Sequence, residues 1–192
     1  MVERIAVTGN IASGKSAVGE ILAAKGYRVL DTDLLSHEIL ERSAEAARAF
    51  KQYDVFENGK ISRDKLGKLV FADPELKKKL EDIIHPQVKA GIESFFNKNA
   101  GEKNAFVEIP LLFEAGMENL FDKIILVYAD DKIRLERLLQ RNNYTAEHAG
   151  SRMNSQLSQD EKVKMSGFVI KNNGDLADLE NQVSKLLEQI RL

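Results

Sequence analysis

The chain contains no cysteine and no tryptophan, and only three of its 192 residues are proline. Without cysteine, neither a disulfide framework nor a thiolate zinc site can form, and a reducing compartment is compatible with the composition. No apolar run approaches the roughly 20 residues that a membrane-spanning helix needs. The first residues, MVERIAVTGN, carry early charges and lack the long apolar segment of a signal peptide. We therefore expect a cytoplasmic protein with no membrane partner.

Neither sign of charge dominates the chain, since 28 lysines and arginines are balanced by 30 aspartates and glutamates. Nucleic-acid-binding domains are usually strongly basic, so nucleic acid is not an expected partner. Hydrophobic residues make up 43% of the chain and charged residues 30%, which is typical of a globular protein. The length suffices for one α/β core with one or two small lobes.

Several short apolar runs are typical of strands that are covered on both faces, because they are continuous rather than alternating. They lie at residues 4–7, 27–31, 105–110, 123–129 and 168–171. Helical periodicity fills the stretches between them and is clearest after Gly174-Asp175, a predicted helix cap. Strand and helix in alternation predict a doubly wound α/β fold with a parallel sheet. Two regions without strand candidates, 33–99 and 137–164, are predicted to be helical inserts, where such enzymes keep substrate lobes and lids.

The strongest motif is VTGNIASGKSAV, which places Gly9, Gly14, Lys15 and Ser16 in the spacing G-x-x-x-x-G-K-[ST]. Glycines let backbone N–H groups approach phosphate oxygens, the lysine adds a point charge, and the serine hydroxyl suits Mg²⁺. A helix-competent run follows, whose amino terminus favours anions. The motif predicts a phosphate-binding loop for a nucleoside triphosphate and Mg²⁺ rather than a glycine-rich turn alone. Its candidate ATP-binding residues are Asn10, Ile11, Ala12, Ser13, Gly14, Lys15, Ser16 and Ala17, with Ser16 as the metal ligand.

The residues that come directly after the strand candidates narrow the class of nucleotide-binding protein. A guanine-reading Asn-Lys-x-Asp is missing, because NNGD comes after the last strand candidate. Asp31 and Asp33 lie just beyond the second strand candidate, at the carboxyl edge where ligands bind in open α/β sheets. Asp33 could orient an acceptor hydroxyl, or it could cap the helix that begins there. From the residues alone both interpretations stay open.

In order along the chain, the phosphate loop, VLDTD, NGKISRDKLGKLVF, LEDIIHP, EIPLLFE, RLLQR, NSQ and VIKNNG resemble the dephospho-coenzyme A kinases over nearly the whole length. The resemblance implies transfer of the ATP γ-phosphoryl group to the ribose 3′-hydroxyl of dephospho-coenzyme A. It also implies a three-layer P-loop NTPase fold with a five-stranded parallel sheet. The expected divisions are a nucleotide-binding core (1–32, 100–136 and 165–192), a helical acceptor-binding domain (33–99) and a helical lid (137–164).

The same resemblance assigns roles to individual residues. Asp33 matches the proposed base, acting with Lys15, which leaves Asp31 as an expected strand-end or magnesium-shell residue. Arg141 and Asn172 match positions beside ATP. The expected acceptor contacts are Asp33, Arg63, His85, Pro110, Leu111, Leu112, Glu114 and Arg137.

Each of these roles has a local alternative. Arg63 could be an exposed helix-start arginine, and the leucines could be packing residues. His85 precedes a proline and is predicted to mark a helix start. Arg137 and Arg141 could lie on a solvated helix face, and Asn172 could form a turn. His37 and His148 show no surrounding constellation.

Some positions depart from the family pattern. Asn10 stands where glycine is usual, although asparagine tolerates left-handed backbone. Ala17 replaces a threonine, Arg134 a glutamine, and Ser166-Gly167 an Ala-Asp pair. The rival hypotheses are another small-molecule P-loop kinase, acting on a nucleoside or nucleoside monophosphate, and a regulatory protein that hydrolyses ATP slowly. The expected small-molecule partners are ATP and dephospho-coenzyme A, and the expected assembly is a monomer or weak homo-oligomer.

Overall fold

The structure, a computed structural model, describes residues 1–142 and 145–190, with the backbone alone at positions 141 and 142. Within these residues the strands are Glu3–Thr8 (β1), Arg28–Asp31 (β2), Phe56–Glu57 (β3), Lys60–Ile61 (β4), Asn104–Glu108 (β5), Lys123–Tyr128 (β6) and Phe168–Lys171 (β7). The helices are Lys15–Ala24 (α1), Thr32–Arg42 (α2), Ala44–Ala49 (α3), Arg63–Ala72 (α4), Pro74–Lys98 (α5), Asp131–Asn142 (α6), Ala146–Asn154 (α7), Gln159–Met165 (α8) and Leu176–Ile190 (α9), with a 3₁₀ turn at Glu118–Leu120.

A parallel sheet of five strands, in the order β2-β5-β1-β6-β7, forms the centre of the fold. The predicted α/β fold with a five-stranded parallel sheet is confirmed. Strand β1 occupies the middle position, and both of its faces are covered, so its apolar residues are fully buried. The loop after β1 therefore emerges at the centre of the carboxyl edge of the sheet, where open α/β folds bind ligands.

The chain divides into two compact units, which are described separately. The first comprises Met1–Asp31 and the segment from Phe96 onward, and the second comprises Thr32–Phe95. One face of the sheet packs with α1 and α9 to form the main apolar cluster of the first unit. The second unit has its own apolar cluster around Phe50, Val55 and Leu66. Among the described residues, no helix is both long and apolar enough to cross a bilayer.

A small antiparallel hairpin, β3-β4, lies within the second unit, which the sequence analysis predicted to be helical only. Its turn contains Asn58 and Gly59 with φ values of 49° and 77°. Two successive residues with positive φ are typical of the type I′ turn, for which Asn-Gly is the strongest sequence signal. The hairpin was therefore predictable from Asn58-Gly59, and its short two-residue strands explain why the apolar pattern alone did not reveal it.

Helix α5 runs without interruption through Pro86, so the prediction that His85 marks a helix start is wrong. Proline removes one backbone hydrogen bond and costs a helix about 3 kcal/mol. Ile84, Val88 and Ile92 repeat every four residues along the buried face of α5. Burying each of these side chains contributes about 1.5–3 kcal/mol, which together outweighs the cost of the proline. Tertiary packing thus extends the helix across a residue that locally disfavours it.

The predicted helix cap before α9 is confirmed. The carboxylate of Asp175 accepts a hydrogen bond from the Asp178 backbone N–H at 2.9 Å. This satisfies one of the amide groups that a helix start leaves without an intrahelical partner.

Candidate active site

The phosphate loop joins β1 to α1 and has a left-handed backbone at two positions. Ala12 has φ 63° and Gly14 has φ 96°. A side chain at position 14 would also be obstructed, because a Cβ there would lie 2.0 Å from Asn172 Nδ2. Left-handed residues alternating with right-handed ones turn successive N–H groups toward one side, and such backbone concavities bind anions. Glycine at position 14 is therefore required twice, by its φ angle and by the asparagine beside it.

The carbonyl groups of this loop are bound by side chains from distant parts of the chain. Arg134 Nε donates to Ile11 O at 3.0 Å. Arg137 Nη1 donates to Ala12 O and Ser13 O at 3.3 and 3.4 Å. These contacts fix the loop backbone, and the first-turn N–H groups of α1, which have no intrahelical partner, are the donors that an anion can use. The loop is preorganised for an anion before any nucleotide arrives.

Asn172, a predicted ATP contact, takes part in the same network. Its Nδ2 donates to Ser13 O at 2.8 Å, and Arg137 Nη2 donates to Asn172 O at 3.0 Å. Arg137, a predicted acceptor contact, is thus attached to the loop and to the end of β7. Contact of either residue with a substrate stays a prediction. The side chain of Arg141 lies outside the described residues.

Arg134 is 3% exposed and is the most deeply buried of these cations. Burial lowers the pKa of its guanidinium, and the neighbouring Asp131 acts in the opposite direction. Its Nη1 donates to Asp131 Oδ1 at 2.7 Å, which provides the charge compensation that a buried arginine needs. The departure from the family's glutamine therefore places a cation directly under the loop backbone.

Asn10 is tied to the connection between α7 and α8 (residues 155–158, hereafter the α7–α8 connection). Its Nδ2 donates to Leu157 O at 2.9 Å, and Gln156 Oε1 accepts from Ile11 N at 2.7 Å. Asn10 is not among the residues with positive φ, so left-handed backbone does not explain it. The hydrogen bond from its side chain to Leu157 O explains the asparagine, because glycine at this position would leave Leu157 O without this partner.

Glu114, a predicted acceptor contact, binds the same connection. Its Oε1 accepts from Leu157 N at 3.1 Å and lies 2.8 Å from Lys162 Nζ. Lys162 is fully buried, so this carboxylate compensates a charge that would be costly without it. Of the neighbouring predicted acceptor residues, Leu112 is fully buried and Leu111 is exposed. Pro110 is half-buried, and its carbonyl accepts from the Thr8 hydroxyl at 3.4 Å.

Gln159 was not singled out from the sequence, although the neighbouring NSQ motif was. Its side-chain amide makes paired hydrogen bonds with the backbone of Ala129, at 2.9 and 3.3 Å, and a third with Asp131 Oδ1 at 3.0 Å. These contacts attach the start of α8 to the carboxyl end of β6. Nearby, burial and the acidic neighbours Asp130 and Asp160 raise the pKa of the Tyr128 phenol, which stays protonated at neutral pH.

Oxygen donors that suit Mg²⁺ lie at this edge of the sheet. Ser16 is exposed in the first turn of α1, and Asp31 is the last residue of β2. Hydroxyl and carboxylate oxygens are hard ligands, and Mg²⁺ in kinases usually takes few protein ligands beside substrate phosphates. The described residues contain no group of three or more metal-ligating side chains that could form a dedicated cage. The donor set fits a metal that is carried by the nucleotide.

The second unit holds Asp33, Arg63 and His85. Asp33 is exposed in the first turn of α2, which begins one residue earlier at Thr32. Arg63 begins α4 and is exposed, with its Nη1 at 3.2 Å from His37 Nδ1. The sequence showed no partner for His37, and this contact supplies one. His85 is half-buried on α5. The roles of these residues toward an acceptor stay predictions.

The family model and the curated relatives that match this chain point to one family. Residues 4–178 match the family model described as dephospho-CoA kinase. A dephospho-CoA kinase from Listeria innocua is 40% identical, covering 98% of this chain and 98% of its own.

Solved structures agree with the sequence match. A dephospho-CoA kinase from Campylobacter jejuni superposes with a TM-score of 0.76 at 36% identity, covering 99% of this chain and 98% of its own. A Thermus thermophilus protein superposes with a TM-score of 0.87, also at 36% identity, covering 98% of each chain. The match thus extends over the phosphate loop, the second unit and the α7–α8 connection.

Proposed function

The chain belongs to the dephospho-CoA kinase family, and it catalyses the ATP-dependent phosphorylation of dephospho-CoA in coenzyme A biosynthesis; we propose that Lys15, Ser16 and Asp33 carry this reaction. The observation that supports the donor half is the preorganised phosphate loop, with its carbonyls bound by Arg134, Arg137 and Asn172. We propose the ribose 3′-hydroxyl as the group that receives the phosphoryl group.

The loop acts through charge and position. Phosphoryl transfer passes through a loose transition state, so most of the acceleration comes from alignment and from neutralising the phosphate oxygens. In this proposal the N–H groups of the α1 amino terminus hold the phosphates, and the Lys15 ammonium adds a cation beside the transferred group. Because the loop backbone is already fixed, little reorganisation accompanies the reaction.

Asp33 acts on the acceptor side. An alcohol is a poor acid, so a carboxylate that accepts its hydrogen bond mainly orients the oxygen in line and takes the proton late. Asp33 is exposed on the first turn of α2 and is therefore accessible to a substrate. Arg63 and His85 are proposed to contact the same acceptor.

Mg²⁺ is the proposed metal, bound through the Ser16 hydroxyl and the nucleotide phosphates. When bound, it neutralises charge that develops on the transferred phosphoryl group. The residues 10–17, together with Arg141 and Asn172, are proposed to hold ATP. The segments 33–99 and 137–164 are proposed as the acceptor-binding domain and the lid. We further propose a cytoplasmic location and a monomer or weak homo-oligomer.

ADP release, measured with a panel of acceptors, tests the proposal. Dephospho-CoA should stimulate ADP release strongly, whereas nucleosides and nucleoside monophosphates should not, and the product should carry the new phosphate on the ribose 3′-oxygen by ³¹P NMR. Phosphate at another position would overturn the proposed acceptor group. Equal stimulation by a nucleoside monophosphate would contradict the substrate assignment. Omission of Mg²⁺ in the presence of a chelator should abolish turnover, and undiminished turnover would remove the metal from the proposal.

A further inference from the structure

Lys15, the cation of the phosphate loop, forms a buried ion pair. Its Nζ lies 3.0 Å from Glu108 Oε2 at the carboxyl end of β5. Lys15 is 8% exposed and Glu108 is 5% exposed, so water contributes little to the solvation of either charge. Each member of such a buried pair compensates the charge of the other, so removal of either one leaves a buried charge and destabilises the fold. Neither the loop motif nor the acceptor residues account for Glu108.

The backbone of α1 is built to admit this carboxylate. Gly19 lies inside α1, where glycine is less favourable than alanine. A Cβ at position 19 would lie 1.8 Å from Glu108 Oε1 and 2.4 Å from its Cδ. Because position 19 has no side chain, the Glu108 carboxylate can lie against the backbone of α1 and reach Lys15 one turn earlier on the same helix.

A second carboxylate lies in register with Glu108. Asp31 on β2 is the direct partner of Glu108 on β5, and residues paired in this way on neighbouring parallel strands share a face of the sheet. Like charges in adjacent positions are unfavourable. The Lys15 ammonium thus neutralises an edge of the sheet that is otherwise acidic.

We propose that Glu108 is a positioning residue for Lys15: it holds the ammonium in the phosphate loop before nucleotide binds, and nucleotide phosphate must compete with it for that ammonium. The inference rests on the proposed function, in which Lys15 contacts the phosphates of ATP. It has two consequences for the reaction. The lysine side chain is ordered in advance, which favours turnover, and the carboxylate opposes binding of the nucleotide, which favours release of ADP.

The test compares Glu108→Gln with the wild type in binding and in turnover. Glutamine keeps the size of the side chain and removes its charge, so the competition for Lys15 ends and a negative charge near the phosphates is lost. ADP should bind about ten-fold more tightly by isothermal titration calorimetry, while kcat falls because Lys15 is less well positioned and ADP leaves more slowly. Glu102→Gln is the matched control, because Glu102 also pairs with a cation, Arg28, but at the surface. It should leave both values unchanged.

Opposed outcomes are separable. Unchanged or weaker ADP binding in a folded Glu108→Gln protein would overturn the inference. A merely structural role for Glu108 predicts that result, whereas the proposed competition predicts tighter binding. Lys15→Ala tests the proposed function independently. If Lys15→Ala weakens ADP binding and Glu108→Gln does not strengthen it, the proposed function stands and this inference fails. If Lys15→Ala leaves ADP binding intact, the role of Lys15 itself is wrong.

Gly19→Ala gives a second test, because it should displace the Glu108 carboxylate without removing its charge. In the wild type the added methyl group should displace the carboxylate, lower the melting temperature and tighten ADP binding in the same direction as Glu108→Gln. In a Glu108→Ala background the obstructing atoms are gone, so Gly19→Ala should be neutral or raise the melting temperature. Equal destabilisation in both backgrounds would show that Glu108 does not occupy the space beside Gly19 and would overturn the inference.

Discussion

The phosphate loop and the proposed acceptor residues of the second unit are held in very different ways. The loop carbonyls are bound by side chains more than 100 residues away in sequence, and Lys15 forms a buried ion pair. In the unit Thr32–Phe95, by contrast, Asp33 and Arg63 are exposed. Its ion pairs, such as Lys60 with Glu41 and Lys68 with Asp64, join exposed side chains and contribute little.

This contrast indicates that the two substrates are bound by parts of the molecule that differ in preorganisation. The donor side is fixed by folding, so its geometry is available before ATP arrives. The proposed acceptor side presents the exposed side chains of Asp33 and Arg63, which a substrate must desolvate and order at a cost in free energy. We therefore expect substitutions in the loop network to act on nucleotide affinity, and substitutions in the second unit to act on the acceptor or on turnover. Four substitutions test that division, beginning with the largest expected effect.

Asp33→Asn should lower kcat by about 10² to 10⁴, the usual contribution of a positioned base. The Kd for ATP, measured by calorimetry, should stay within about three-fold of the wild type, because Asp33 is proposed to act on the acceptor and not on the nucleotide. Near-normal turnover would assign Asp33 to the helix terminus alone. A large loss of ATP affinity would break the division between donor and acceptor sides.

Lys15→Ala should lower kcat by about 10² to 10³, as expected when one preorganised charge is removed from the site of phosphoryl transfer. Nucleotide affinity should fall in parallel, in contrast to Asp33→Asn. Removing Lys15 also leaves Glu108 buried without this cation, so the free energy of unfolding should decrease by about 3 kcal/mol or more in urea titrations. Lys25→Ala, at the carboxyl end of α1, is the control for loss of one surface charge. Full stability in Lys15→Ala would contradict the burial of the ion pair.

Arg137→Gln distinguishes two roles for one residue. If Arg137 mainly holds the loop carbonyls, loss of its charge-assisted hydrogen bonds should weaken ATP binding by about ten-fold or more, with the KM for dephospho-CoA unchanged. If it is instead the acceptor contact that the family resemblance implies, the KM for dephospho-CoA should rise and ATP affinity should be normal. Steady-state kinetics with each substrate varied in turn decide between the two results.

Arg63→Gln should have the smallest effect. We expect a five- to ten-fold increase in the KM for dephospho-CoA, because an exposed arginine loses part of its interaction energy to solvent screening. The KM for ATP should not change. The increase should shrink as ionic strength rises. A shift in the KM for ATP would indicate that the second unit also determines nucleotide affinity.

The sheet and the loop were the most predictable parts of the molecule. Five apolar runs gave five strands close to their true positions, because burial on both faces leaves an unbroken apolar signal. The glycine spacing identified the loop for a similar reason: a left-handed Gly14 and an anion site leave few alternatives in sequence. Helix α5 was less predictable, since packing of Ile84, Val88 and Ile92 overrides the local effect of Pro86.

The supports of the loop could not be deduced from local sequence. Arg134 and Arg137 are ordinary residues for an amphipathic helix, and only the fold brings them to the carbonyls of Ile11 and Ala12. The hydrogen bonds that join the loop to the α7–α8 connection span more than 140 residues of sequence. Periodicity reports which face of an element is buried, whereas a partner across the fold leaves no local trace.

The separation between the loop and its supports also bears on biogenesis. The loop is synthesised well before Asn172, whose side-chain amide donates to Ser13 O across 159 residues of sequence. A nascent chain should therefore complete its phosphate loop only after β7 and Asn172 have been synthesised and β7 has joined the sheet. ATP that binds only the folded state shifts the folding equilibrium toward that state by mass action. Cellular ATP would therefore stabilise only those enzyme molecules in which β7 has joined the sheet.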